Sequence, residues 1–373
     1  MKKPKTFFNK NPNLIVAIKL AFFLYLFFLS LEIMGDSMKL FGKEFANTLI
    51  QATSNPFVGL FIGILATSIV QSSSSTTSIV VGMVAGGALE ISNAIPIIMG
   101  ANIGTSITST IASLPQINRS NEFRRAFAAA TVHDIFNFLS VIVLFPLQLT
   151  TNFLGIVSVA LADSFKDVGG LNFLNLVKAI TKPVANFIIE LIKNIFEDGI
   201  LYKWIVLIIS LIFLFFALKY MTASLKILIM SKAKAWFDQL LFKNAPRAMA
   251  VGLILTILVQ SSSITTSLVI SMAGAGLLTL IQIFPYTLGA NVGTTITAIL
   301  AALVTGNIAA VTVAFAHLIF NLVGIIIWWP LKIVPITLAQ KFAEYSTKNK
   351  LIPLAYVVIL FFIIPLLVIY FIN

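Results

Sequence analysis

The chain has 373 residues, of which 59% are hydrophobic and only 10% charged, with no cysteine and a formal net charge of +12. Soluble domains carry roughly 25% charged residues, so an ordinary soluble fold is excluded and an all-α polytopic membrane protein is expected. Alternating segments of ~10 residues, the mark of a transmembrane barrel, are absent, and so is any cysteine that could build a disulfide framework or a thiolate metal site. The positive charges are dispersed among short loops instead of forming one patch, which speaks against a nucleic-acid partner and for a lipid bilayer with its basic loops inside.

In chain order, the basic start Met1-Lys2-Lys3-Pro4-Lys5 lacks a small-residue cleavage site behind a short apolar core. Residues 1–12 therefore read as a cytoplasmic tail, and the run Asn13 to Met34 as a retained first helix. A polar loop is expected at 35–55. Residues 56–70 form an apolar run too short to span, broken at Gln71, and further runs follow to about 91 and from Ile95 to Leu114. A basic loop with Arg119, Arg124 and Arg125 precedes a spanning run of about 126–150 that Pro146 is expected to end. The region 151–202 is less apolar and contains an amphipathic stretch, Phe173 to Phe196, expected to lie on the membrane surface. The pattern then restarts: Tyr202 to Met221, a basic loop at 222–247, a short run 248–259 broken at Gln260, then 268–281, 283–303 and 308–330. A basic loop at 331–350 and a last run at 351–372 close the chain.

The restart is a repeat. The octet Gln71-Ser72-Ser73-Ser74-Ser75-Thr76-Thr77-Ser78 recurs as Gln260-Ser261-Ser262-Ser263-Ile264-Thr265-Thr266-Ser267, an offset of 189 that also relates Pro96 to Pro285 and Asn102 to Asn291. Further on, His133, Asn137 and Pro146 match His317, Asn321 and Pro330 at an offset of 184. The expected organisation is a first membrane repeat at 13–150, an external connecting region at 151–202, a second repeat at 203–330, and the basic loop with a final helix at 331–373. Net charges are +4 in the tail, +2 at 115–125, +4 at 222–247 and +3 at 331–350, against 0 at 35–55 and −1 at 151–202. With every basic loop inside, the N-terminus is cytoplasmic, the C-terminus external, and the two repeats enter from opposite sides. Inverted-topology repeats with broken or re-entrant helices that meet near the bilayer midplane are a transporter architecture.

The broken segments carry the chemistry. Interrupted helices expose backbone N–H and C=O groups that are tolerated in a membrane only where protein or a polar cavity satisfies them. N-termini with hydroxyls beside them suit an oxyanion, while carbonyls, hydroxyls and a carboxamide oxygen suit Na⁺. Substrate is expected between Gln71–Ser74 and Gln260–Ser263. Small residues also serve close helix packing, which explains Gly82 and Gly86 but not two octets headed by Gln. A second pair, Asn102-Ile103-Gly104-Thr105 and Asn291-Val292-Gly293-Thr294, adds oxygens and backbone freedom. Asp134 is a carboxylate well inside its run, either a cation or proton site or the partner of Arg124 or Arg125. His133 and His317 read as hydrogen-bonded structural histidines.

The doubled Gln-Ser-Ser-Ser, the run Asn93-Ala94-Ile95-Pro96-Ile97-Ile98-Met99-Gly100, and Phe123-Arg124-Arg125-Ala126-Phe127 leading into Thr131-Val132-His133-Asp134 resemble the type II sodium-coupled phosphate cotransporters over about 50–150 and 245–370. The resemblance implies a sodium-coupled symporter that imports inorganic phosphate across the plasma membrane by alternating access, and not an enzyme. It implies phosphate ligands at Gln71, Ser72, Ser73, Ser74, Ser261, Ser262, Ser263, Asn102 and Asn291. It implies sodium ligands at Gln260, Ser261, Thr294, Thr297 and Ser73, with Gln71, Thr105 and Thr108 in the first repeat. An extra sodium at Asp134, Asn137 and Gln116 would make transport electrogenic. No cofactor is expected beyond Na⁺ as coupling ion, and a homodimer is compatible.

The chain departs from the pattern at Gln116-Ile117-Asn118-Arg119, where the family carries an aspartate, so one cation site is altered. It also lacks the cysteines of the animal proteins' external loop and one C-terminal helix, which suggests a bacterial member. Competing readings are a sodium-coupled carrier of sulfate or a carboxylate, a channel with the polar segments as filter, and an intramembrane serine hydrolase with His133 or His317 as base. No Gly-x-Ser-x-Gly turn frames the serines, which counts against the hydrolase.

Overall fold

A computed structural model describes residues 12–167, 172–197, 199–236, 242 and 244–372. The basic N-terminal tail and parts of the 151–202 and 222–247 segments lie outside the described residues. The described residues are helical throughout, without strands, and seven helices are long and apolar enough to cross a membrane. The protein is multi-pass.

The first repeat begins with α1 (Pro12–Phe41) and α2 (Lys43–Ala52). The expected polar loop at 35–55 is thus mostly helix: the spacing of Phe45 and Leu49 lets α2 bury an apolar face against the core that α1 helps to build. Next come α3 (Pro56–Val70) and α4 (Ser73–Ala85), then α5 (Ile91–Ser113) and α6 (Ser120–Thr151). Pro146 does not end α6, which runs five residues further. Two helices fill the connecting region, α7 (Phe153–Asp167) and α8 (Asn172–Phe196), before α9 (Ile200–Trp236). The amphipathic α8 is not simply laid on the surface: Ala185 and Ile192 pack into one cluster with Leu29 and Ile33 of α1, and Lys182 lies 3.9 Å from the buried Glu32 carboxylate.

The second repeat repeats the order as α10 (Ala245–Val259), α11 (Ser262–Gly274), α12 (Leu280–Thr305) and α13 (Ile308–Trp328). The expected run 268–281 is therefore two pieces, the end of α11 and the start of α12. The basic loop expected at 331–350 is instead α14 (Ile333–Ser346), because Ile336, Ala339 and Ala343 fall on one face and pack inward while the charges take the other. The last helix, α15 (Leu351–Ile372), contains a π-turn at Ile359–Ile363.

Capping fixes the broken segments. Asn55 accepts from Phe57 N and Asn244 from Arg247 N, each followed by a proline in the first helical turn, where the missing N–H costs nothing. Gln71 (φ 55°) and Gln260 (φ 56°) end α3 and α10 in the left-handed region. Ser72 and Ser261 then return to extended backbone, and their hydroxyls cap α4 and α11 by accepting from Ser75 N and Ile264 N.

Glycine packing shows where these short helices go. A Cβ on Gly63 would sit 2.0 Å from Ile97 O, one on Gly100 1.9 Å from Leu60 O, and one on Gly104 2.6 Å from Ile64 O. Residue numbers on α3 and α5 therefore rise together, so the two run parallel. The same holds for α10 and α12 through Gly252 against Tyr286 O, Gly289 against Met249 O and Gly293 against Leu253 O. A short helix between two parallel neighbours must run back, so α3–α4 and α10–α11 are re-entrant hairpins, whereas α5 and α12 are long enough to cross. Asn307, at the far end of α12, donates to Ala85 O at the base of the first hairpin. Arg125, just beyond the far end of α5, donates to Gly274 O at the base of the second. The hairpins thus enter from opposite faces and the repeats are inverted.

Candidate substrate and cation site

Each hairpin leg of 13 or 15 residues is about 20 Å long, which carries its tip to the middle of a hydrocarbon layer ~30 Å thick. The tips meet. Ser74 Oγ donates to the backbone carbonyl of Gln260 at 3.4 Å, and Ser109 on α5 shares a 3.0 Å hydroxyl contact with Thr266 on α11. Ser73, Ser74 and Ser262 are buried, Ser72, Ser261 and Ser263 partly so. The junction joins the N-termini of α4 and α11, with positive dipole ends and amides lacking intrahelical acceptors, to the carbonyl ends of α3 and α10. No lysine or arginine occurs in either octet. Such a junction offers donors to an oxyanion and oxygens to a hard monovalent cation side by side.

The two repeats differ in how this polarity is satisfied. Gln260 Oε1 accepts from Thr297 Oγ1 at 2.6 Å and its Nε2 donates to Ile257 O at 2.6 Å, while Thr256 and Thr265 pair their hydroxyls at 2.9 Å. In the first repeat Gln71 is exposed, and the buried hydroxyls of Thr67 and Thr108, the mates of Thr256 and Thr297, have no protein partner. Thr105 and Thr294 both donate to their own helix, to Ala101 O and to Ala290 O.

Asn102 and Asn291 are engaged elsewhere. Asn291 Nδ2 donates to Asn137 Oδ1, Asn137 Nδ2 donates to Asn102 O, and Asn102 Oδ1 accepts from Asn321 Nδ2, at 2.8, 2.9 and 3.1 Å. His133 Nε2 bonds Asn291 Oδ1 and His317 Nε2 faces Asn102 Oδ1. An amide oxygen only accepts, so both imidazoles carry the Nε2 proton in these contacts. This network binds the crossing helices α5 and α12 to α6 and α13, and the histidines are structural as expected. Neither imidazole touches a serine of the octets, which removes the base that a serine hydrolase needs.

Asp134 is fully buried. Its Oδ2 accepts from Thr110 Oγ1 at 2.8 Å and from the Tyr356 hydroxyl at 3.0 Å, while its Oδ1 has no partner. It makes no ion pair with Arg124 or Arg125; Arg125 is turned to α11 instead. Of the residues grouped with Asp134, Asn137 bonds Asn102 O and Asn291 instead, and Gln116 lies beside Gly274; neither is a hydrogen-bond partner of the carboxylate. The sequence reading missed Thr110 and Tyr356. Thr110 could have been found, because Asn102, Ser106, Thr110 and Ser113 recur at helical spacing along α5. Tyr356, 222 positions away on the last helix, left no sequence signal.

Two inverted units, each a re-entrant hairpin followed by two crossing helices, with hydroxyl-lined tips in contact, define a class of membrane protein built around a central polar junction. The Na⁺/Pi-cotransporter family matches residues 26–165 and 212–328, and the chain belongs to that family. Among its relatives are the sodium-dependent phosphate transport protein 2B of Pongo abelii, 35% identical over 93% of this chain and 64% of the relative, and protein 2A of Rattus norvegicus, 34% identical over 93% of this chain and 66% of the relative. The human protein 2B is 35% identical, again over 93% of this chain and 64% of its own length. The chain thus spans a little under two thirds of these relatives. No solved structure matches it.

Proposed function

We propose that this protein is a sodium-coupled symporter that imports inorganic phosphate by alternating access and moves net positive charge inward. Family membership and the relatives' names support the substrate and the ion. The observation that carries the reading is the meeting of the two hairpin tips, Ser74 on the Gln260 carbonyl.

Phosphate is assigned to Ser72, Ser73 and Ser74 with Ser261, Ser262 and Ser263, beside Gln71. One sodium is assigned to Gln260, Ser261, Thr294 and Thr297 with Ser73. The unpartnered Thr108 hydroxyl, the repeat mate of Thr297, supports a second cation position in the first repeat, with Gln71 as the mate of Gln260. Asn102 and Asn291 act by holding α5 and α12 in place. Without a lysine or arginine at the tips, a phosphate dianion at low dielectric depends on bound cations for compensation. That dependence is the physical basis of coupling. Asp134, with one unpartnered oxygen, takes the extra cation, and each net charge moved inward gains about 2.3 kcal/mol per 100 mV. The excess of basic residues in the segments 115–125, 222–247 and 331–350 supports an orientation with the N-terminus in the cytoplasm.

The test is labelled-phosphate uptake into proteoliposomes under an inward sodium gradient, with potassium as control, with and without an inside-negative potential. Uptake that requires sodium and rises with the potential is expected. Sodium dependence without a voltage effect removes the charge movement, and absence of phosphate uptake with sodium-driven sulfate or carboxylate uptake replaces the substrate. Gln260→Ala and Thr294→Val are expected to cut sodium-dependent uptake; an unchanged sodium dependence in both removes the cation assignment.

A further inference from the structure

Two contacts between the repeats occupy one and the same repeat position on opposite faces of the membrane. At the base of the second hairpin, Arg125 Nε lies 3.2 Å from Ala273 O and 3.1 Å from Gly274 O, and its Nη2 donates to Gly274 O at 2.7 Å. At the base of the first hairpin, Asn307 Nδ2 donates to Ala85 O at 3.1 Å. Ala85 and Gly274 are 189 positions apart, the offset of the repeat. Both are last residues of the returning leg, α4 or α11, where carbonyls lack intrahelical partners. In both cases the donor comes from the opposite repeat and stands near the start of its second crossing helix, α6 or α13.

A cavity lies beside each contact. A cavity of about 480 Å³ is lined by Arg124, Arg125, Ala273, Gly276, Thr279 and Glu344. On the other face a cavity of about 700 Å³ is lined by Val84, Leu89, Glu90, Asn152 and Ala309; Val84 precedes Ala85 in the chain, and Ala309 N donates to Asn307 Oδ1.

We infer that Arg125 and Asn307 are a pair of opposed latches, each holding the returning leg of the other repeat's hairpin, and that release of one at a time opens the junction to one face. The inference rests on the alternating-access reading. The latches are unequal. A guanidinium on two carbonyls makes charge-assisted bonds, roughly twice as strong as neutral ones, and favourable at a helix C-terminus; the carboxamide makes one neutral bond. The resting protein therefore keeps the Arg125 face, the cytoplasmic one by the charge rule, shut more of the time than the other.

The chain contains no cysteine, so a single introduced thiol reports access. Ser267→Cys places it on α11 and Ser78→Cys at the repeat mate on α4. Labelling by a membrane-impermeant thiol reagent is compared in inside-out and right-side-out vesicles, without sodium or phosphate. Arg125→Ala is expected to raise labelling of Ser267→Cys from the Arg125 face by at least about fivefold, the low end of typical coupling, with no rise from the other face. Asn307→Ala should do the reverse with Ser78→Cys. Arg125→Lys, which keeps the charge but not the fork, should give a smaller rise and serves in place of Arg125→Ala if that variant does not reach the membrane folded. Unchanged labelling in both latch variants overturns the inference, and so does an equal rise from both faces, which marks general loosening. Labelling is read without transport, so a protein that carried another anion would still give the expected result, whereas a channel would label from both faces before any latch was removed.

Discussion

At the scale of single residues, what a polar group touches decides its role more than its position in a motif. Asn102 and Asn291 head the two matching Asn-x-Gly-Thr segments, yet their amides are taken up by Asn137, Asn321 and the two histidines. Asn291→Leu should leave Asn137 Oδ1 and His133 Nε2 buried without partners, at about 1–3 kcal/mol for each group, seen as a fall in thermal stability in detergent. Asp134→Gly should keep sodium-dependent uptake and lower the charge moved per phosphate, measured as current against tracer flux. Tyr356→Phe keeps the ring against Phe342 and Phe361 and removes one donor from Asp134. It should raise the sodium concentration needed for half-maximal uptake while costing on the order of 1 kcal/mol of stability; an unchanged sodium dependence would make the tyrosine a packing residue only. The hydroxyls of the octets and the burial of Asp134 were legible from residue type and surroundings. The Asp134–Tyr356 contact was not, because it joins α6 to the last helix and no local pattern encodes it.

At the scale of elements, the decisive feature is the parallel approach of α3 to α5 and of α10 to α12. Backbone meets backbone there because glycine leaves no Cβ between them. Gly252→Ala would bring a methyl to 2.0 Å from Tyr286 O, so the helices must separate, and the variant should lose folded protein on size-exclusion chromatography. Gly35→Ala is the control: nothing lies within 4 Å of its Cβ, and removal of a helical glycine should be neutral or stabilise by about 0.4–1 kcal/mol. Equal behaviour of the two would remove the packing argument. The sequence located both breaks to the residue, since Gln71 and Gln260 interrupt runs of apolar residues and Ser72 and Ser261 are cap residues. It misjudged the loops at 35–55 and 331–350, because apolar residues at helical spacing outweigh the charges between them once a neighbour exists to cover that face. Pro146 was overrated as a terminator for a related reason: a membrane helix held by its neighbours continues past a proline.

At the scale of the whole molecule, inversion of the repeats gives a junction with two possible openings. The charge distribution predicts its orientation. Single cysteines at Ser54, beside the first hairpin, and at Lys348, beyond α14, should react with an impermeant reagent from outside and from inside the cell respectively. Reaction of both from one face would overturn the topology. Large apolar side chains are left exposed on the long helices, among them Ile142, Ile212, Phe215, Ile326 and Leu366, as expected of a surface that faces lipid.

By itself the sequence determined the membrane class, the duplication, the inverted topology and the two polar breaks. Each of these is written in local composition or in a fixed offset along the chain, and hydrophobic length and loop charge act on a segment whatever its neighbours do. Only the tertiary structure decided that the broken segments turn back as hairpins, that the asparagines bind helices together, that Arg125 holds a carbonyl and not Asp134, and that Tyr356 completes the carboxylate's surroundings. These depend on which helix ends up beside which, and that is settled by close packing of backbone and side chains over the whole bundle.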